Sequence, residues 1–458
     1  MAQASVRETW SSRTTFLLAA IGGAVGLGNI WRFPFVAGEN GGGAFVLIYL
    51  VCIFLLGLPL LIAEFTVGRR GAGSPVNTLR AVAAEQDRSP AWQFIGWLAV
   101  ASAVCGLIFY SVIAGWSFAY ILETASGAFI GVDSEGSWAI FCTLTDNPRE
   151  MALWHFLFMA VTVFIVARGI RGGLEKAVTV MMPALFVVLL ILVGYAAVAG
   201  DFMAGFKFLF EPDFSKITFG IVLMAMGQAF FTISIGGGGM MTYGAYLPRH
   251  ISIPRASCVV VGADTLVALL AGFAIFPLVF QYNLAPGGGP GLIFATLPIA
   301  FGQMPAGTFF GTLFFVLLAF AALSSSISML EPAISFLEER GFKRARATLG
   351  TGLVLWIAGL GSVFSFNIWK KFHPLGMFEL FAEKRIFDLF NYIVANVFMV
   401  LGGLFMAIFV GWMMSRATTA EEFGLGEGAT YRIWLLLVRF LAPIAVAVIF
   451  YFGLTGKH

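Results

Sequence analysis

The stretch from Gly22 to Pro34 reads GGAVGLGNIWRFP, and it lies inside an apolar run that begins at Phe16. Glycine weakens a helix and a charged side chain is costly in lipid, so this composition is unusual for a membrane crossing. Two explanations fit: close packing of helix backbones, or a helix that is interrupted at mid-membrane. Interrupted backbone survives at that depth only where it lines a cavity or binds something.

The whole chain has the composition of a membrane protein. Of its 458 residues, 59% are hydrophobic and only 11% are charged, whereas soluble domains carry about 25% charged residues. The period-2 alternation of a membrane β-barrel is absent. We therefore expect an all-α integral membrane protein with about 11 transmembrane helices. Its apolar runs lie at roughly 14–37, 43–67, 92–124, 152–168, 177–199, 217–245, 257–281, 307–337, 347–366, 386–413 and 433–455.

Basic residues indicate the orientation. Lysine and arginine are concentrated in the segments on the side of the N-terminus, which predicts a cytoplasmic N-terminus and, with an odd number of spans, an external C-terminus. The net charge of +3 therefore reflects topology, and no nucleic-acid partner is expected.

A second glycine cluster, Gly236–Gly239, interrupts the sixth apolar run. The first and sixth runs are five apart, and interruptions at matching positions of two halves are typical of inverted-repeat transporters. The predicted core is a 5+5 inverted repeat with broken helices 1 and 6. The predicted segments are 1–13 (N-terminal gate segment), 14–200 (first five-helix repeat), 201–415 (second repeat) and 416–458 (eleventh helix and C-terminus).

Polar side chains lie within the same runs, where they are functional candidates by default. They are Asn29 in the first run, Thr232 and Ser234 in the sixth, Asp264 in the seventh, and Ser324, Ser325 and Ser326 in the eighth. Such oxygen donors suit Na⁺ better than a transition metal. No nucleophile–base pair or clustered metal ligands are visible, so an enzyme is not expected.

Four motifs carry a family resemblance: GGAVGLGNIWRFPFVAGENGGGAF, FYSVIAGW, GQAFFTISIGGG and SSSISMLEPAISFLEE. Together they resemble the neurotransmitter:sodium symporter family, and most closely its bacterial amino-acid transporters. The resemblance runs from Arg7 to about Trp412. It implies the leucine-transporter-type fold, alternating access, two Na⁺ sites beside one amino-acid substrate, and a multi-pass location in a bacterial-type inner (plasma) membrane.

The resemblance also implies ligand sets. The first Na⁺ site would use Ala24, Asn29, Thr232 and Asp264. The second would use Gly22, Val25, Ala321, Ser324 and Ser325. The substrate would contact Ala24, Gly26, Leu27, Gly28, Tyr110, Phe231, Thr232, Ser234 and Ser325.

The predicted side-chain pocket is roomy and apolar. Of its three wall positions, Gly106 and Gly237 carry no side chain, and Met329 adapts its shape. Large hydrophobic or aromatic amino acids are therefore the expected substrates, unless neighbouring side chains fill the space. Monoamine carriers of the family have an aspartate where this chain has Gly26, so monoamines are not expected.

The resemblance also suggests gates and ion dependence. An Arg32–Asp388 pair would close the outside, although Asn391 could align with the acidic position instead. Arg7, Trp10 and Glu339 would close the cytoplasmic side. Asp264 supplies a carboxylate near the first Na⁺ site, so chloride is not expected to be required, although Tyr49, Gln228 and Thr232 resemble halide-binding residues.

Three functions remain open from the sequence. The favoured one is a Na⁺-coupled amino-acid symporter, and the alternatives are an amino-acid-gated channel or uniporter and a non-transporting substrate sensor on the same scaffold. The expected partners are the amino-acid substrate and the lipid bilayer, and the chain is expected to be a monomer or a homodimer.

Overall fold

A computed structural model describes residues 9–287 and 291–455, and in these ranges every regular element is a helix. The first nine helices are α1 (Arg13–Ala24), α2 (Gly28–Glu39), α3 (Gly43–Gly71), α4 (Pro75–Glu85), α5 (Pro90–Ala125), α6 (Ser134–Asp146), α7 (Pro148–Ala167), α8 (Ile170–Ala199) and α9 (Phe202–Phe210). The next nine are α10 (Phe219–Thr232), α11 (Gly239–Ala245), α12 (Ile253–Gln281), α13 (Leu292–Gln303), α14 (Gly307–Glu339), α15 (Arg344–Phe364), α16 (Ile386–Met413), α17 (Arg416–Phe423) and α18 (Ala429–Thr455).

Local sequence determines where several of these helices begin. Ser12 forms a capping box with Thr15 at the start of α1. Asn147 accepts hydrogen bonds from the backbone N–H groups of Arg149 and Glu150, and Pro148 occupies the first helical position of α7. These caps satisfy backbone groups that the helix itself leaves free.

Helices of membrane-spanning length match the predicted runs. Nine helices in the described ranges are long and apolar enough to cross a bilayer, and α1 with α2 forms a tenth span that bends by 47° at its break. The sixth predicted run is divided between α10, of 14 residues, and α11, of 7 residues, each too short to cross alone. The two predicted interruptions are thus present in the structure.

The interrupted spans lie at the centre of the bundle. Helix α1 packs against α8, α12 and α14, and α11 packs against α3 and α14. In the most apolar 18-residue stretch of α14, 78% of the residues are buried inside the protein, whereas in that of α18 only 28% are buried. Exposed Leu, Ile, Val and Phe side chains on the peripheral helices form the surface that faces lipid.

Close backbone contact between α5 and α7 depends on Gly115. A Cβ atom added there would lie 2.9 Å from the carbonyl carbon of Trp154 and 3.0 Å from the amide nitrogen of His155, and backbone cannot move aside as a flexible side chain can. We expect Gly115→Ala to destabilise the fold by about 1–3 kcal/mol. The measurement is the midpoint of thermal unfolding of the purified protein in detergent.

The matched control is Gly194→Ala in α8, because a Cβ atom at Gly194 meets nothing within 4 Å. That variant should unfold at or slightly above the wild-type temperature, since alanine favours a helix more than glycine does. Equal midpoints for the two variants would contradict the packing role of Gly115.

Candidate functional site

The first break exposes backbone between α1 and α2. The Gly26 N–H donates to Oδ1 of Asn29 at 3.0 Å, and the Gly28 carbonyl accepts from Nε2 of Gln228 at 2.9 Å. Both side chains are completely buried. The Asn29 side chain therefore replaces the helix partner that the Gly26 N–H has lost, as mid-membrane backbone requires, and Gln228 adds a second hydrogen bond to the Gly28 carbonyl, which also accepts the Phe33 N–H.

The second break, residues 233–238, is a tight non-helical segment. Ser234, Gly236 and Gly238 have φ angles of 56°, 77° and 77°, a left-handed region that glycine enters without steric cost. The Gly236 N–H donates to Oε1 of Glu64 at 2.6 Å. A Cβ atom at Gly236 would also collide with the backbone of Met399. Glycine at position 236 therefore permits both the positive φ angle and the close approach of the Met399 backbone.

A cavity of about 60 Å³ lies between the two breaks. Every residue that was predicted to contact substrate lines this cavity. They are Ala24, Gly26, Leu27, Gly28, Gly106, Tyr110, Phe231, Thr232, Ser234, Gly237, Ser325 and Met329. The structure thus brings these residues together, and their role as substrate ligands remains a prediction.

One predicted wall of the cavity is less open than its glycine suggests. The methyl group of Met329 lies against Gly106, where a Cβ atom would collide with it. The space beside Gly106 is therefore filled by a flexible side chain that other rotamers can vacate. Gly237 also lines the cavity and contributes no side chain.

The side chains predicted for the first Na⁺ site form one buried hydrogen-bonded cluster. Nδ2 of Asn29 lies 2.8 Å from Oδ1 of Asp264 and 3.0 Å from Oγ1 of Thr232. The Thr232 hydroxyl also donates to Oδ2 of Asp264 at 3.1 Å. The carboxylate and hydroxyl oxygens both accept a hydrogen bond from the Asn29 amide nitrogen, and oxygen donors of this kind suit a hard cation.

The orientation of the Asn29 amide differs from the predicted ligand geometry. Its nitrogen, not its oxygen, faces Asp264, because the oxygen is engaged by the Gly26 N–H. Ala24, the remaining predicted ligand, lies on the cavity wall. Asn29 would thus join a cation site with its oxygen only after the amide rotates and releases the Gly26 N–H.

The residues predicted for the second Na⁺ site also lie together. The Ser324 hydroxyl is 3.0 Å from the Ala321 carbonyl oxygen, and the Ser325 hydroxyl is 3.2 Å from the Val25 carbonyl oxygen. Gly22 packs against the Cβ of Ser324. Hydroxyl and carbonyl oxygens from α14 and from the first span are therefore already adjacent, and this donor set fits Na⁺.

A vestibule of about 290 Å³ lies above the cavity, on the side away from the N-terminus. Tyr110 and Phe231 line both spaces and separate them. Arg32, Asp388 and Asn391 line the vestibule, as the gate prediction requires. The relative roles of Asp388 and Asn391 remain a prediction.

The predicted Arg32–Asp388 ion pair is not formed in this structure. Oδ2 of Asp388 accepts from both the backbone N–H and Nε of Arg385, each at 3.1 Å. This partner is three residues away on the same helix end, so the local pair forms without closing the vestibule. The Arg32 guanidinium instead lies 4.2 Å from the ring centre of Phe231.

The opposite side of the cavity is closed by packed side chains. Trp10 is 2% exposed and donates from its indole nitrogen to the Tyr243 carbonyl oxygen at 3.3 Å. The Glu339 carboxylate accepts from the Ser74 N–H and the Asn77 amide, each at 2.6 Å. Arg7, its predicted partner, lies outside the described residues.

Several cavity residues were missed by the sequence analysis. Ser102 lies one helical turn before Gly106, and Ser328 lies three residues after Ser325, so helical spacing alone could have found both. Val394 and Met399 of α16 also line the cavity. No glycine, polar residue or motif distinguished them from ordinary core residues.

Comparisons with known proteins agree with this architecture. A crystal structure of MhsT in complex with L-phenylalanine superposes with a TM-score of 0.88 at 40% sequence identity, covering 98% of this chain and 100% of that one. This similarity confirms the inverted-repeat transporter fold that was predicted from the two interrupted spans.

Sequence comparisons give the same result. An uncharacterised sodium-dependent transporter of Bacillus subtilis is 39% identical, with 96% of each chain aligned. One from Haemophilus influenzae is 33% identical, with 97% of each chain aligned. A sequence model of the sodium:neurotransmitter symporter family matches residues 7–139 and 145–457. The chain therefore belongs to the sodium:neurotransmitter symporter family.

Proposed function

We propose that this chain is a Na⁺-coupled symporter of large hydrophobic or aromatic amino acids that works by alternating access. The observation that carries the proposal is the buried cavity between the two interrupted spans, whose wall includes Gly106 and Gly237. A free amino acid needs polar groups for its carboxylate and amino group, and the broken backbone offers both N–H and carbonyl groups there. The related MhsT structure contains L-phenylalanine.

Shared residues would couple the ion to the substrate. Thr232 belongs to the proposed first Na⁺ site and lines the cavity, and Ser325 does the same for the second. When Na⁺ or the substrate repositions Thr232 or Ser325, it therefore changes the binding site of the other. By linkage, Na⁺ must then raise substrate affinity by the same factor as substrate raises Na⁺ affinity.

Chloride is not needed in this proposal. Among the halide-like residues, the Gln228 amide already donates to Gly28, and the Thr232 hydroxyl already donates to Asp264. The Thr232 hydroxyl and one of the two Gln228 N–H groups are thus engaged within the protein, and Asp264 supplies negative charge beside the cation donors. An added anion would meet that carboxylate at short range, which is unfavourable.

The placement in the membrane follows the same proposal. We infer a bacterial-type inner membrane with a cytoplasmic N-terminus, an external C-terminus and repeat boundaries near residues 200 and 415. The basic ends of α3 and α7, at Arg70 and Arg168, support this orientation. A monomer or a homodimer is compatible with the fold.

The first test measures uptake of tryptophan, tyrosine, phenylalanine and leucine into proteoliposomes, with and without a Na⁺ gradient. We expect Na⁺-dependent accumulation of these substrates, because a symporter moves substrate uphill at the expense of the ion gradient. Binding of each amino acid is measured in parallel by equilibrium methods. Preference for glycine or a charged amino acid would contradict the pocket assignment.

The same assay separates the alternatives. A channel or uniporter would equilibrate substrate without accumulation, and its ionic current would exceed stoichiometric uptake. A sensor would bind substrate in the presence of Na⁺ but would transport none.

A second prediction concerns Asp264. The Asp264→Asn variant loses the negative charge beside the proposed first Na⁺ site, so we expect at least about a tenfold weaker Na⁺ response or a new chloride requirement. The measurement is the Na⁺ concentration for half-maximal substrate binding, in chloride and in gluconate. The control is Asp133→Asn, an exposed helix cap at which asparagine also caps well. An unchanged Na⁺ response would remove Asp264 from the site.

A third prediction concerns pocket size. In Gly106→Val, the new side chain occupies the space that Met329 or a substrate ring would use. We expect aromatic amino acids to bind at least about tenfold more weakly, and alanine or glycine to be less affected. The measurement is competition binding across the five amino acids tryptophan, phenylalanine, leucine, alanine and glycine. Proportional loss for all five would indicate damage to the fold rather than a change in selectivity.

A further inference from the structure

A long apolar groove runs along the lipid-facing surface, away from the substrate cavity. It has a volume of about 630 Å³ and lies between α7 and α15. Phe164 and Leu353, which form opposite walls, are each 57% exposed. At the floor, Gly352 packs directly against the side chain of Val163, so the two helices touch below while their larger side chains stand apart above.

The longer wall of the groove matches one leaflet of a bilayer. This wall runs from Phe156 on α7 to Arg168 just after it, which at 1.5 Å per residue is about 18 Å, and the facing wall on α15, from Leu349 to Trp356, is about 10 Å long. Half of a typical hydrocarbon core is about 15 Å. At the deep end, the rings of Phe156 and Trp356 meet edge to face at 5.7 Å. An extended acyl chain fits these dimensions.

The other end of the groove is basic and lies on the N-terminal side of the membrane. Arg168 lines the groove, with its guanidinium 3.9 Å from the ring centre of Phe164. In residues 9–287 and 291–455, no acidic side chain lies within 4 Å of it. Arg346 is exposed one helical turn before Leu349, on the groove side of α15.

A neighbouring arginine holds the two walls together at this end. The guanidinium of Arg344 donates to the Val166 carbonyl at 2.9 Å and pairs with Glu331 and Glu338. Arg344 is thus neutralised within the protein, while Arg168 and Arg346 remain available to an external anion.

We propose that this groove binds one acyl chain of an anionic phospholipid, with the lipid phosphate held by Arg168 and Arg346. Charge complementarity favours this occupant, because basic pockets between membrane helices recognise anionic head groups. A second copy of the chain in symmetric contact would present the same basic end again and would supply no counter-charge.

The test uses the full-length protein in a neutral detergent and counts bound lipid by native mass spectrometry. Phosphatidylglycerol and phosphatidylcholine with identical acyl chains are the probes. We expect phosphatidylglycerol to bind at least about fivefold more tightly, and Arg168→Gln and Arg346→Gln each to remove about fivefold of its affinity. Arg171→Gln is the matched control, since Arg171 is exposed outside the groove and donates to the Thr9 carbonyl. It should retain wild-type lipid affinity.

Two further variants separate charge from shape. Ala160→Phe fills the groove and should weaken both lipids, whereas Arg168→Lys keeps the charge and should retain the preference for phosphatidylglycerol. Na⁺-dependent substrate binding by each variant reports folding. Equal affinity of the wild type for the two lipids, or unchanged affinity in Arg168→Gln, would overturn the proposal. If the wild type were a dimer and Ala160→Phe dissociated it without loss of bound lipid, the groove would be the contact site of a second copy instead.

Discussion

Unpaired backbone at mid-membrane is the constraint on which this structure depends. An N–H group without a partner in lipid costs several kcal/mol, so a break in a spanning helix requires buried side chains to replace the lost hydrogen bonds. Asn29 does this for Gly26 in the first break, and Glu64 does it for Gly236 in the second. Glu64 comes from α3, far from Gly236 in sequence, so the bond also fixes how the two elements pack.

The same hydrogen bonds join the breaks to the proposed ion and substrate sites. Asn29 bridges the first break to Thr232 and Asp264, which lie on α10 and α12. Three helices, α2 from the first half of the chain and α10 and α12 from the second, therefore meet in one buried cluster beside the cavity. In such a network, a change at one member alters the energy of the others, which is the physical basis for coupling between sites.

The sequence predicted the spans and the two breaks, because glycine clusters and long motifs mark them directly, and the residues that it assigned to substrate contact all line one cavity. It could not predict pairings in which two partners compete. Asp388 had both Arg32 and Arg385 within plausible reach, and only the structure shows that the nearby Arg385 is bonded. The direction of the Asn29 amide was equally open. Val394 and the lipid-facing groove carry no local signal, since both arise from apolar residues brought together by packing.

The side chain of Met329 makes the size of the cavity adjustable. Its methyl group occupies the space beside Gly106, and a thioether side chain with three rotatable bonds can leave that space without any movement of the main chain. The volume of about 60 Å³ is then a lower bound on what the protein accommodates. Ligands of unlike shape, branched or planar, can share one rigid set of backbone contacts while a single adaptable residue takes up the difference.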